Sequence, residues 1–366
     1  MNIDTPRSYI CPAMIYFTAG PSQIYPTVPQ HLQNAVRDGI LSISHRGSQF
    51  TDIYAKMESG LRAVLEVPED YHIFLFSSAT EIWERLALNC VERESFHLVN
   101  GNFSQSFAEI AKRCGKQVGI HQVGDFEGFD MDQVVVPDSA ELIAAIANES
   151  STGVMTPPED LYKLRHRYPD KLLVVDAVSA LPTWRVDISQ LDGLYFSVQK
   201  GFGLPAGLGV LILSPRMLER GLELERKGQF VGTYHRWSKL HEMSLKRQTP
   251  ATPNVLGIYL LAQVCADMAP AMDALLHAHE EKFRLLSDFV AHHPMLDFAV
   301  KDARVRSNTV AVVDTKYPDV KAKMKDVERQ GFVLGSGYGK FADRQMRISN
   351  FPGTSVEDMK ALLRVL

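Results

Sequence analysis

The chain has 366 residues, 45% of them hydrophobic, with 39 basic against 43 acidic side chains and a net charge of −4. That length supports a large α/β domain plus a smaller one. The near balance, with no run of five basic residues, excludes the charge pattern of a nucleic-acid or anionic-membrane binder.

Cys11, Cys90, Cys114 and Cys265 form no C-x-x-C pair and no metal-ligand spacing with histidine, so reduced thiols in a cytoplasmic protein are expected, and no metal site. The N-terminal MNIDTPRSYICPAMIYF has no basic stretch followed by an apolar one, so no secretory signal is expected, and apolar runs stop short of a membrane span.

Short apolar strands alternate with amphipathic helices up to about residue 250. Strands are expected at His72–Phe76, Phe96–Val99, Gln117–His121, within Ala140–Ala147, at Leu172–Val175, Leu194–Val198 and Gly209–Leu213. Helical periodicity covers Glu81–Cys90 and Ser104–Cys114. This alternation predicts a mostly parallel sheet covered on both faces. After residue 254 the pattern changes. Long helices are expected at Asn254–Met268 and Met272–His292, then a strand (Asn308–Val313), a helix (Val320–Gln330), a strand (Met346–Ser349) and a closing helix (Ser355–Leu366). The expected division is an N-terminal segment, 1–16, packing with the small domain, a large domain, 17–253, and a small α+β domain, 254–366.

The stretch SVQKGFGLPAG, Ser197–Gly207, holds three glycines and a lysine. A dinucleotide loop needs a helix N-terminus after its glycines. Here the strand Gly209–Leu213 follows instead, so that reading fails, and the glycines are expected to let backbone and ligand approach Lys200. Alone, Lys200 reads as a solvated surface lysine. Asp176, directly after the strand Leu172–Val175, alone reads as a turn or cap residue. Together they have the order that pyridoxal-phosphate chemistry requires: a lysine for the imine and an acid for the pyridinium nitrogen. Ser78-x-x-Glu81 has the capping-box pattern, and the same helix N-terminus offers N–H groups to a phosphate.

Further motifs occur in order: Phe17–Pro21 (FTAGP), Ile43–Arg46 (ISHR), Asn148–Ser150 (NES), Val175-Asp176, Gln199-Lys200, Pro205–Leu208 (PAGL) and Gln248–Thr252 (QTPAT). Together they resemble the class V pyridoxal-phosphate aminotransferases, and within them most nearly the phosphoserine aminotransferases. The resemblance implies the type I fold of these enzymes, with a seven-stranded, mostly parallel sheet in the large domain. It implies pyridoxal 5′-phosphate on Lys200 as a Schiff base, with Asp176 at the ring nitrogen. Ser78, Ala79 and Gln199 would hold the phosphate, Phe103 would stack on the ring, and Ser150 would stand near the ring oxygen. Gln248 and Thr249 would reach the phosphate from a neighbouring subunit, which implies a homodimer. Arg347 would take the substrate α-carboxylate, and His45 and Arg46 the substrate's phosphate or side-chain anion.

Three features depart from the family pattern. A second His-Arg pair is missing between Gly335 and Arg344, where Lys340 and Arg344 are the available cations; Gln248 replaces an asparagine; and one residue is inserted after Lys200. The expected reaction is transfer between phosphoserine and 2-oxoglutarate. The rivals are a transaminase for a small uncharged amino acid such as serine or alanine, a desulfurase-type lyase, and an inactive binding protein. The lyase needs a cysteine on a mobile loop, and residues 331–345 contain none.

Overall fold

The computed structural model describes residues 14–366. Residues 1–13, which include Cys11 and most of the expected N-terminal segment, lie outside the described residues.

Seven strands form the large sheet, in the order His72–Phe76, Gly209–Leu213, Gly193–Ser197, Leu172–Asp176, Leu142–Ile146, Glu94–Val99 and Gln117–Gln122. Gly209–Leu213 runs antiparallel to both neighbours, and every other pairing is parallel. The expected strands are all present, each within two residues of its expected bounds.

The composition of these strands explains their position. Leu172-Leu173-Val174-Val175 has no polar face, and alternate residues enter opposite cores. Leu173 and Val175 join the cluster under the helices Ser48–Leu65 and Val255–Met268. Leu172 and Val174 join the cluster under Ala79–Cys90 and Pro215–Arg226. Both faces are therefore covered, as the alternating pattern requires.

A second, five-stranded sheet has the order Ile15–Phe17, Phe332–Ser336, Gln345–Ser349, Val310–Thr315, Leu296–Phe298. Ile15–Phe17 pairs in parallel with Phe332–Leu334, so the first described strand belongs to the C-terminal sheet. The helices Met272–His292 and Val356–Leu363 cover it through Leu286, Val290, Met359 and Leu362.

The helix Val255–Met268 packs against Ser48–Leu65, and Ile258, Leu261 and Cys265 belong to the core of the large sheet. By packing, the change of core falls after this helix rather than before it. Val255–His292 includes a window with mean hydropathy 1.5, apolar enough by composition to cross a membrane, where the sequence reading expected none. That apolarity has a packing reason: Ile258, Leu260, Leu261, Val264 and Met268 are all buried inside the fold.

Candidate active site

The parallel strands place chemically useful side chains at one edge of the sheet. Leu172–Asp176 ends on Asp176, and Gly193–Ser197 ends three residues before Lys200. His72–Phe76 leads through Ser77 and Ser78 into the helix Ala79–Cys90. The carboxyl ends of parallel strands are where open α/β sheets form their ligand crevices. Here that crevice is a cavity of about 240 Å³, lined by Ser78, Ala79, Phe103, Ser150, Asp176, Gln199 and Lys200 among others. Seven of the residues singled out in the sequence thus meet in one place.

Asp176 is 4% exposed. Its Oδ1 accepts the Val178 N–H at 2.9 Å, and its Oδ2 accepts the Trp83 indole N–H at 3.2 Å. Burial raises its pKa to about 6; the two donors oppose that shift, and the nearby charge of Glu149 adds to it. Lys200 opens onto the cavity and donates from Nζ to the Ala19 carbonyl at 2.7 Å. Burial lowers its pKa to about 8; Asp176 and Glu149 oppose the fall, and Arg347 reinforces it. A lysine near 8 has an appreciable neutral fraction at ordinary pH, which nucleophilic and base chemistry at this amine needs.

Gly20 (φ +130°) lies directly over Lys200: a Cβ there would stand 2.9 Å from both Cε and Nζ. Only glycine tolerates that backbone, and any side chain would push the lysine aside. Two of the glycines after Lys200 admit close backbone approach, as expected. Gly203 (φ +60°) leaves room for the Tyr25 backbone N, 2.5 Å from where its Cβ would be, and a Cβ on Gly201 would meet the Leu181 carbonyl at 2.0 Å. The space they open takes the chain's own backbone.

Ser78 caps the helix Ala79–Cys90, its Oγ accepting the Glu81 N–H at 3.2 Å. The reciprocal half of the expected box is shifted: the Glu81 carboxylate takes the N–H and hydroxyl of Ser77, and also pairs with His235. The Ala79 N–H donates to Ser197 Oγ at 2.9 Å, which ties the helix start to the strand leading to Lys200. Thr80, second in the helix, has no intrahelical acceptor for its N–H, and it also lines the cavity.

Phe103 lies on the opposite wall, its ring centroid 5.9 Å from Lys200 Nζ and 5.5 Å from the Tyr338 ring. Arg347 comes from the smaller sheet. Its Nη1 donates to the Ser150 carbonyl at 3.1 Å, its Nε to the Ser336 carbonyl at 2.7 Å, and Tyr338 lies under its guanidinium.

Five expected residues do not line this cavity: Arg347, which reaches only the Ser150 carbonyl at its rim, and four that lie further off. Arg46 donates from Nη1 to Gln248 Oε1 at 2.9 Å and from Nη2 to the Pro250 carbonyl at 3.3 Å. Thr249 bonds the Ala251 carbonyl, and the His45 ring packs edge-on to Phe50. His45, Arg46, Gln248 and Thr249 are thus placed apart from Lys200 within one chain. Lys340 and Arg344 do not line it either: Lys340 pairs with Asp125 at 2.6 Å, and both flank the Phe341 ring.

Sequence reasoning missed Trp83 and Ser179, and gave no role to Asn148, Glu149 and Ser197, which it held only as members of longer motifs. Trp83 had a readable signal: it is four residues after Ala79, hence one helical turn along the same face. The pairing of Asn148 with Ser179 had none, because their mutual bond of 2.8 Å spans 31 residues.

The family model "Aminotransferase class-V" matches residues 14–348. The phosphoserine aminotransferase of Rhodococcus opacus is 29% identical over 362 residues, covering 97% of this chain and 95% of that protein. The crystal structure of a phosphoserine aminotransferase from Cytophaga hutchinsonii superposes with a TM-score of 0.95 at 41% identity, covering 96% of this chain and 98% of that one. The ureidoglycine–glyoxylate aminotransferase of Bacillus subtilis shares the fold, with a TM-score of 0.83 at 20% identity, covering 98% and 94%. With its lysine and buried acid at one sheet edge and the family match over most of its length, the chain belongs to the class V aminotransferases.

Proposed function

We propose that this aminotransferase uses pyridoxal 5′-phosphate to move an amino group between phosphoserine and 2-oxoglutarate, as a homodimer in the cytoplasm. The observation that carries the cofactor reading is that Lys200 and the buried Asp176 line one cavity, beside the start of the Ala79–Cys90 helix. An amine, a buried acid and a helix N-terminus are the three groups a phosphorylated pyridine aldehyde calls for. Bound there, the cofactor supplies the electron sink for loss of the proton at the amino acid's α-carbon.

The chain's own residues divide the remaining work. Asp176, held by Val178 and Trp83, would keep the proton on the ring nitrogen, and a cation there would draw its pKa back down. Thr80 and its neighbours at the helix start would take the phosphate. Phe103 would cover one face of the ring. Lys200, with its pKa near 8, would accept the α-proton and return it on the other side of the transfer. Arg347, fixed by two carbonyls over Tyr338, would receive the substrate carboxylate.

The relatives named phosphoserine aminotransferase support phosphoserine as donor. A second anion site at His45 and Arg46 needs another subunit, because within one chain Arg46 turns to Gln248 and Pro250 and His45 packs on Phe50. The homodimer reading rests first on Gln248 and Thr249, which would reach the phosphate from a neighbouring subunit, and this arrangement agrees with it. One observation favours the rival reading, a small uncharged amino acid: Lys340 already has Asp125 as its partner.

The test adds phosphoserine, serine and alanine in turn to the cofactor-loaded protein and follows decay of the cofactor's long-wavelength absorbance. Phosphoserine is expected to act fastest. If serine and alanine are both faster, the phosphate assignment fails. A purified protein that takes up no pyridoxal phosphate overturns the cofactor reading itself.

A further inference from the structure

The helix that carries Phe103, Asn102–Arg113, starts after a glycine, so no side chain at its N-cap can satisfy its first N–H groups. Residues about 45 positions later do so instead. Glu149 Oε2 accepts the N–H of Phe103 at 3.0 Å and of Ser104 at 2.9 Å. Ser151 Oγ accepts the N–H of Asn102 at 2.9 Å and donates to Glu149 Oε1 at 2.6 Å; that same oxygen also accepts the Ser151 N–H at 3.2 Å. Glu149 is 0% exposed. Its two oxygens thus gather backbone N–H and hydroxyl groups from the helix start and from Ser151. Gly101 makes the approach possible, since a Cβ there would lie 2.4 Å from Glu149 Cγ.

The neighbours of Glu149 in sequence reach the other walls of the site. Asn148 bonds Ser179, three residues beyond Asp176, and the Ser150 carbonyl holds Arg347. The charge of Glu149 also acts on Asp176, Lys200 and Arg347 alike. One tetrapeptide, Asn148–Ser151, thereby touches the acid's loop, the aromatic wall and the carboxylate arginine.

We propose that Glu149 is a positioning residue for the reaction: its buried carboxylate fixes the start of the Phe103 helix against the cavity and provides a standing negative charge beside Lys200 and Arg347. The proposal rests on the cofactor reading above.

The experiment compares the wild type with Glu149→Gln and the milder Ser151→Ala. It measures amide exchange of a peptide containing Phe103 and Ser104 in the cofactor-free protein, then the Kd for pyridoxal phosphate, then the pH midpoint of the bound cofactor's absorbance change. For Glu149→Gln, faster exchange and a Kd raised about tenfold are expected. Losing a negative neighbour disfavours the cationic form at Lys200, so the midpoint is expected to fall by about half a pH unit or more. Ser151→Ala keeps the charge, and is expected to speed exchange and raise Kd about threefold with the midpoint unmoved. If exchange quickens in Glu149→Gln while Kd and midpoint stay at wild-type values, Glu149 only caps a helix and the proposal is overturned. If Glu149→Gln does not fold, an unchanged Kd in Ser151→Ala overturns it equally. Failure of the wild type to bind the cofactor shows separately that the cofactor reading is at fault, and the inference falls with it.

Discussion

Two desolvated lysines in this protein, Lys200 on a cavity wall and the buried Lys282, have nearly the same proton affinity and opposite meanings. Burial lowers both Lys200 and Lys282 to about 8. Neither has a carboxylate among its hydrogen-bond partners in the described residues. Lys282, 2% exposed, is saturated: its Nζ donates to the Phe351 carbonyl at 2.7 Å, the Thr354 carbonyl at 2.8 Å and Thr354 Oγ1 at 3.4 Å. Lys200 has one such bond, to Ala19, and opens onto a cavity shared with Asp176. A lowered pKa therefore marks burial, and only a place on a cavity wall facing an acid marks chemistry. Lys282 ties down the loop after Gln345–Ser349, the strand that carries Arg347, so its part is structural.

The comparison breaks most visibly by truncation. Lys200→Ala is expected to lower transamination by ~10³-fold or more, the scale of a lost positioned acid–base group and nucleophile. Its unfolding midpoint in urea should stay at or above that of the wild type, because a desolvated amine is removed from a cavity wall. Turnover within tenfold of wild type would place the chemistry elsewhere. Lys282→Met is expected to do the reverse, costing about 2–4 kcal/mol in urea unfolding as two buried carbonyls lose their donor. The variant should still take up the cofactor with its full long-wavelength absorbance. If both variants lose absorbance and stability together, the distinction between the two lysines is wrong.

The pH dependence of the cofactor-free protein sharpens the contrast. A lysine whose folded pKa is about 8 against 10.5 unfolded is short of a proton in the native state between those values. The unfolded chain binds more protons there, so stability should rise with pH from about 8 to 10.5 and be lost as pH falls through 8. Lys282→Met should remove about half of that rise. Asp176 works in the other direction: its pKa is raised from 3.8 to about 6, so its contribution is present at low pH and lost as pH rises through 6. Asp176→Asn should flatten that loss in the cofactor-free protein while abolishing turnover. Urea midpoints measured from pH 4 to 10.5 decide both signs.

How much of this was legible in the sequence depends on the distance over which each feature is built. The strand Leu172–Asp176 was readable because four consecutive apolar residues leave no solvent face, and Asp176 because it ends that strand. Lys200 became readable only beside it. Phe103 could be named, but not what holds it in place, since the Glu149 carboxylate arrives from 46 residues away. Lys282 carried no signal at all: in the helix Met272–His292 it reads as one more solvated lysine, and its acceptors lie about 70 residues downstream. The helix Val255–Met268 was found where expected, yet its core could not be assigned, because its partner is the distant helix Ser48–Leu65. Periodicity reports which face is apolar, not what covers it.

A third lysine completes the comparison at the small end. Lys340 has what neither desolvated amine has, a carboxylate at 2.6 Å, yet its side chain is 72% exposed and that of Asp125 is 40% exposed. Water screens such a pair and two flexible side chains must be ordered to make it, so its expected contribution is below about 1 kcal/mol. A double-mutant cycle on Lys340→Ala and Asp125→Ala should return a coupling within that bound, and smaller still at 1 M salt. The pair does bridge the Gly337–Arg344 turn of the small sheet to the loop after Gln117–Gln122, so the KM for the amino donor gives a separate reading. An unchanged KM leaves Lys340 as a surface contact. A KM that rises in Lys340→Ala but not in Asp125→Ala would mean that the lysine leaves Asp125 to meet the substrate, and proximity to an acid would then have misled where burial did not.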